Sequence, residues 1–233
     1  IARIAEKDLQ DNYSKSYDKV LEMLEPLNKL TLAGKYPFID AALFIKQSEE
    51  AGFGLTNQWG YEITPWFDGV PEKTVEEHPK YDLLGEIGNS QATVDVSASS
   101  RIDSTFGKSY SLREVLYRVG LIHQPMRNIL RFSSSHPDGD NFGKDAKVNI
   151  AGYKNLFDLF EDAFGQYQNL NYPLSSTTRL DSYVDSIMTE FPKSDFSSEI
   201  NDDTKSNWSK KSYQIAQDFA YTALNLSSEQ AND

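Results

Sequence analysis

The sequence contains no cysteine, which excludes disulfides and thiolate metal sites. Histidine is almost as scarce, with His78, His123 and His136 the whole supply. A site holding several zinc ions draws on many imidazole and carboxylate donors, so three scattered histidines serve at best one mononuclear centre. Long apolar runs are missing too. Ala41-Ala42-Leu43-Phe44-Ile45 is among the longest and is far too short to cross a bilayer. Positive charge is outnumbered, with 23 Lys and Arg against 35 Asp and Glu and a net charge of −12. Nucleic-acid binders gain most of their affinity from basic side chains on phosphates, so a broad nucleic-acid surface is not expected. A local basic cleft remains compatible with that total. No Gly-x-Ser-x-Gly elbow, Walker sequence or Gly-x-Gly-x-x-Gly is present, which removes the commonest nucleophile and phosphate-loop signatures.

What is present is an ordinary globular balance, 39% hydrophobic and 25% charged over 233 residues, enough for a buried core. Residues 2–11 and 16–30 carry helical spacing, the second through Val20, Leu21, Leu24, Leu27 and Leu30. Pro37 opens a third helix that Gly52 stops. Residues 53–79 have no helical period and are expected to form a long ordered loop; Tyr81 to about Ser104 predicts two helical pieces. Ser111 to about Leu130 predicts a central helix with Leu112, Val115, Leu116, Val119 and Ile122 as its apolar stripe. The polar stretch 133–152 holds one short strand candidate, Val148-Asn149-Ile150. Helices are expected over Asn155–Tyr167, Thr178–Glu190 and Thr204–Leu224, with a polar linker over 193–207. The fold class is all-α, organised as a single domain over 1–233.

Several segments, in order, resemble the S1/P1 nuclease family, the zinc-dependent nucleases related to zinc phospholipases C. Ile1-Ala-Arg-Ile-Ala-Glu-Lys-Asp-Leu9 is similar to the family's first helix, and Asp40-Ala-Ala-Leu-Phe-Ile-Lys46 with Trp59-Gly-Tyr61 to its Ala-x-x-Trp-Ala-Asp and Trp-His-Tyr elements. Val119-Gly-Leu-Ile-His-Gln-Pro-Met-Arg127 resembles Val-Gly-Asp-Ile-His-Gln-Pro-Leu-His, the most specific signature. Asn155-Leu-Phe-Asp-Leu-Phe-Glu161 is similar to Asn-Leu-His-x-x-Trp-Asp, and Trp208-Ser-Lys-Lys-Ser212 with Ala216 and Tyr221 to the family's Trp-x-x-Glu-Ser helix. The family's opening Trp-Gly motif and its last helix are expected to be missing. The resemblance implies a phospholipase C/P1 nuclease-like helical fold with long ordered loops. It also implies a secretory or organellar lumen, any targeting peptide being absent from this sequence, which starts on an amphipathic pattern.

The family's chemistry needs three zinc ions, held chiefly by His and Asp, and a bridging water as nucleophile. The resemblance places those ligand positions on Lys46, Gly60, Tyr117, Leu121, Arg127, Phe157 and Glu161. Only Glu161 keeps a carboxylate, Tyr117 is a poor ligand at neutral pH, and a cation at Lys46 or Arg127 repels zinc. His123 survives but is not a ligand in the motif; a buried or half-buried structural histidine is expected. His136 sits in an acidic turn whose Asp138 and Asp140 lack the spacing of a calcium loop, and His78 is expected at the surface. The adjacent carboxylates of Glu49-Glu50 point apart on a helix and Glu76-Glu77 offers no better pair, so neither makes an acid/base pair. The expectation is a degenerate, catalytically inactive member with no cofactor, a structural or binding subunit among other protein subunits. Two alternatives stand beside it. One is an active metal-dependent nuclease with a site rebuilt from Glu161, Asp138 and Asp140; the other is a metal-free binder of a phosphate-bearing ligand through Lys46 and Arg127. If the metal is lost, an ion pair between Glu161 and Arg127 or Lys46 is expected to replace it as the cross-link.

Overall fold

The computed structural model describes residues 1–30, 36–52, 60–75, 82–95, 105–165, 178–200 and 204–222. Trp59, Glu76, Glu77 and His78, singled out or weighed above, lie outside them. The chain is mainly helical and divides into two compact units.

The first unit comprises Ile1–Thr56, Gly85–Gly120 and Leu170–Asp203. Its helices are α1 (Ala2–Asn12), α2 (Ser14–Leu24), α3 (Pro37–Glu50), most of α4 (Leu83–Asp95) and α5 (Thr105–Ile122), α7 (Thr178–Glu190) and the short α8 (Ser197–Ile200). Leu24, Phe38 and Ala41 form its core, packed by Ala2, Ala5, Leu9, Tyr17, Val20, Leu112 and Leu116. Tyr36, which precedes α3, offers that helix no side-chain cap. Glu6 does so from α1: its carboxylate accepts from the Phe38 backbone N–H at 3.0 Å and from Arg3 at 2.8 Å. An anion at a helix N-terminus satisfies orphan donors and the positive end of the dipole.

The apolar stripe of α5 is only half of its story. Leu112 and Leu116 pack on the core, but Arg113, Glu114 and Arg118 are buried as well. Arg113 donates to the Leu24 carbonyl at 2.9 Å and to Asn28 at 2.9 Å, closing the C-terminal end of α2. Arg118 lies 2.6 Å from Glu114 and 3.6 Å from Glu49. Burial pulls the Arg113 guanidinium down to about 10 and pushes the Glu114 carboxyl up.

The second unit comprises Asn57–Leu84, Leu121–Asn169 and Thr204–Asp233. It contains α6 (Leu156–Glu161) and α9 (Lys205–Ile215), which continues as a wider π-helical segment, Ala216–Tyr221. Strands β1 (Pro65–Phe67) and β2 (Leu130–Phe132) pair in parallel. Met126, Ile129, Phe142, Leu156, Phe157, Leu159, Ala216, Ala220 and Tyr221 are buried together in its core.

Several element expectations need correction. Helix α5 begins six residues before Ser111 and stops at Ile122; Gln124, restricted by Pro125, is extended, and a 3₁₀ turn over Pro125–Arg127 leads into β2. The loop expected over 53–79 contains β1. Val148–Ile150 forms no strand, only an isolated bridge between Lys147 and Asn155. The 193–207 linker is partly helical; of the two helical pieces expected over 81–104, Leu83–Asp95 is one, and 96–104 lie outside the described residues. Leu30, placed in the apolar stripe of the second helix, is 70% exposed, because α2 gives way to a 3₁₀ turn after Leu24.

Candidate functional site

Arg127 ends the Pro125–Arg127 turn, where its side chain is largely buried. Its Nη2 reaches both oxygens of Glu161, at 3.1 and 3.0 Å, a charge-assisted contact shared by one nitrogen between the two oxygens. Its Nη1 donates to the Gly60 carbonyl at 3.2 Å, and its Nε to the Gln124 side-chain carbonyl. Gln124 in turn donates to Glu161 at 2.6 Å. The guanidinium also lies 5.1 Å from the Tyr61 ring centre and 5.2 Å from that of Phe157. One side chain therefore ties the segment around Gly60, the Gln124 turn and helix α6 into a single hub.

Local structure explains why these pieces present themselves. Asn155 caps α6, accepting from the Asp158 backbone N–H at 2.8 Å, and so orients Phe157 inward and Glu161 toward the hub. Asn128 donates to the carbonyls of Ile122 and Gln124, and Ser212 on α9 donates to Ile122, so the last carbonyl of α5 and one in the turn beyond it are satisfied. His123 is exposed, not buried, and its ring lies 5.4 Å from that of Trp208; Trp208 and His123 thereby brace α9 against this turn.

Of the seven positions the resemblance assigns, Gly60, Arg127, Phe157 and Glu161 come together in the second unit. Leu121 belongs to that unit and is buried. Lys46 and Tyr117 belong to the first. There Lys46 is half-exposed and 3.9 Å from Glu50, while Tyr117 donates to Glu49 at 3.2 Å. Glu49 and Glu50 thus face different partners.

Lys144 was not legible as a site residue. Its ammonium donates to the Tyr61 hydroxyl at 2.7 Å and lies 4.9 Å from the Tyr61 ring and 4.8 Å from that of Phe157. It follows three residues in the left-handed region, Asn141, Phe142 and Gly143, at φ 53, 61 and 80°. That turn is anchored by Asp140, which is fully buried, accepts from the Tyr221 hydroxyl and accepts from the Arg131 N–H at 3.3 Å. Burial raises the Asp140 carboxyl above its ordinary range, opposed by those hydrogen bonds. Arg131 itself pairs with Asp68 at 2.8 Å. Asp138, by contrast, projects into solvent 3.7 Å from Lys73, and His136 contacts Ser135 at 2.8 Å within the turn.

The described side chains around Glu161 do not fit a zinc cluster. Among the described residues no three of His, Asp and Glu converge as metal donors. Asp138, Asp140 and Glu161 face solvent, Tyr221 and Arg127 respectively. A guanidinium bound to Glu161 adds a cation where a divalent ion would need an anion.

The fold is that of a mainly helical protein. The chain matches the family model described as S1/P1 Nuclease over residues 1–233, and it belongs to that family. A search of curated proteins finds no match.

Proposed function

We propose that this chain is a non-catalytic S1/P1 nuclease-family protein, its fold kept as a structural or binding subunit of a larger assembly and the zinc site replaced by an ion pair. Both compact units together are taken as one family domain, since the match runs through all 233 residues. The carrying observation is the Arg127–Glu161 ion pair, which engages the one carboxylate left among the family's ligand positions. Metal-assisted phosphodiester hydrolysis needs an ion to neutralise phosphate and acidify water, and the side chains around Glu161 supply neither that ion's ligands nor a free base. Exposed apolar side chains on α9 and its π-helical continuation, Ile215 and Phe219, support a role in association.

The test is hydrolysis of single-stranded DNA by the purified chain with added zinc. Turnover at the level of buffer is expected. Turnover that co-purifies with the protein and disappears in Glu161→Gln would overturn the reading.

A further inference from the structure

We propose that Lys144 is the cationic centre of a metal-free binding site for a small phosphate oxyanion, either inorganic phosphate or a phosphate monoester. The proposal rests on the non-catalytic reading above and gives that same site a ligand. Arg127 and Lys144 address the same two rings, Tyr61 and Phe157, but their charges are treated differently. The Arg127 charge is matched by Glu161 at 3.0 Å. No carboxylate among the described residues lies within 4.0 Å of the Lys144 ammonium. Two cations and one carboxylate, itself 42% exposed, leave the cluster with surplus positive charge inside a protein of net charge −12.

The backbone holding Lys144 is costly to form. Left-handed conformation is disfavoured for residues with a side chain, and here Asn141 and the buried Phe142 both adopt it. Such strain persists only where the surroundings over-determine it, and it concentrates at ligand-binding positions. The surroundings are on hand: buried Asp140 and Tyr221 fasten the turn, and a Cβ on Gly143 would meet Met126 Cε at 2.5 Å. The turn fixes the Lys144 backbone, and the contacts with Tyr61 and Phe157 hold its ammonium.

The donor set selects the ligand. Arginine's planar fork suits a carboxylate, but its nitrogens are already committed, Nη2 to Glu161, Nη1 to the Gly60 carbonyl and Nε to Gln124. Lysine offers a compact point charge with three donors, of which one goes to Tyr61, leaving two for the oxygens of a tetrahedral anion. The Tyr61 and Phe157 rings shield the charge from water on one side, strengthening its pull on an oxyanion.

The experiment uses the full chain, treated with chelator, at constant ionic strength set by chloride. Amide chemical shifts are followed during titration with inorganic phosphate, glycerol 3-phosphate and acetate in separate arms. Saturable shifts centred on Tyr61, Lys144 and Phe157 are expected with phosphate or the monoester, the tighter of the two identifying the source. Lys144→Gln is expected to weaken binding on the order of 10- to 100-fold, the range of one charge-assisted contact, whereas Lys144→Arg retains part of it and the exposed-site control Lys147→Gln all of it. Should the Gln variant not fold, the unaltered chain still reports: phosphate should protect Lys144, and not Lys147, from amine acylation read by peptide mass. A non-saturable response, equal binding of acetate, or unchanged affinity in a folded Lys144→Gln protein overturns the proposal. Zinc-dependent hydrolysis alongside intact Lys144 binding would remove the non-catalytic reading alone. Absent binding in an inactive, zinc-free protein would remove this site alone.

Discussion

Arg127 makes more contacts of consequence than any other side chain at the hub, and its removal separates the two roles it could have. Arg127→Ala leaves Glu161, Gln124 and the Gly60 carbonyl without their shared donor. Breaking a buried pair costs roughly 3–5 kcal/mol, but Glu161 is 42% exposed and solvent screens it, so about 2–3 kcal/mol is expected. Glu161→Ala should cost only about 1 kcal/mol, since Arg127 keeps its bonds to Gly60 and Gln124. Urea unfolding of both single variants and the double variant gives the coupling energy, and simple additivity would show that the pair is not a cross-link. The pairing of these two residues was legible in the sequence because both fall on ligand positions of one motif set. Lys144 was not, because a lone lysine in a polar turn looks like solvated surface. Its role comes from backbone dihedrals and from a tyrosine 83 residues away, neither of which leaves a local pattern.

At the scale of elements, the glycine turn before Lys144 sets the strongest constraint. Gly143→Ala combines φ +80° with a 2.5 Å approach to Met126, whereas Gly52→Ala has φ +98° and nothing within 4 Å. Strain alone is worth about 1 kcal/mol, so Gly52→Ala should lose that much. Gly143→Ala should lose somewhat more, roughly 1–3 kcal/mol, since the terminal methyl of buried Met126 must also move. Equal midpoint shifts in denaturant would contradict the packing argument. Removing the α6 cap by Asn155→Ala should cost about 1 kcal/mol. Helix elements with clear punctuation were legible: Pro37 opens α3, and Thr178–Glu190 is found as expected. The central helix was drawn too long because Ile129 and Leu130 continue the apolar pattern by chance. The decisive signal was Pro125, which forces Gln124 out of the helical region. The two strands escaped notice since each is three residues long and its partner is far away in sequence.

For the whole molecule, the acids with a resolved shift point one way. Burial raises Glu6, Glu62, Glu114 and Asp140 above their ordinary values. A carboxyl raised on folding contributes stability that is fully present below the unfolded value, around 4, and is lost as pH rises through the folded value. Mild acidification toward that window should therefore raise the thermal midpoint relative to pH 7, in the same direction as relief of the −12 net charge. A falling midpoint over that range would mean that ion pairs outweigh burial. No helix among the described residues is long and apolar enough to cross a membrane. We propose that an ion pair stands in place of a metal in this S1/P1 nuclease-family chain. Elemental analysis of the purified chain after dialysis against zinc tests it most directly. Zinc well below one equivalent, unchanged in Glu161→Gln, is the result predicted. Stoichiometric zinc that is lost on that substitution would contradict it.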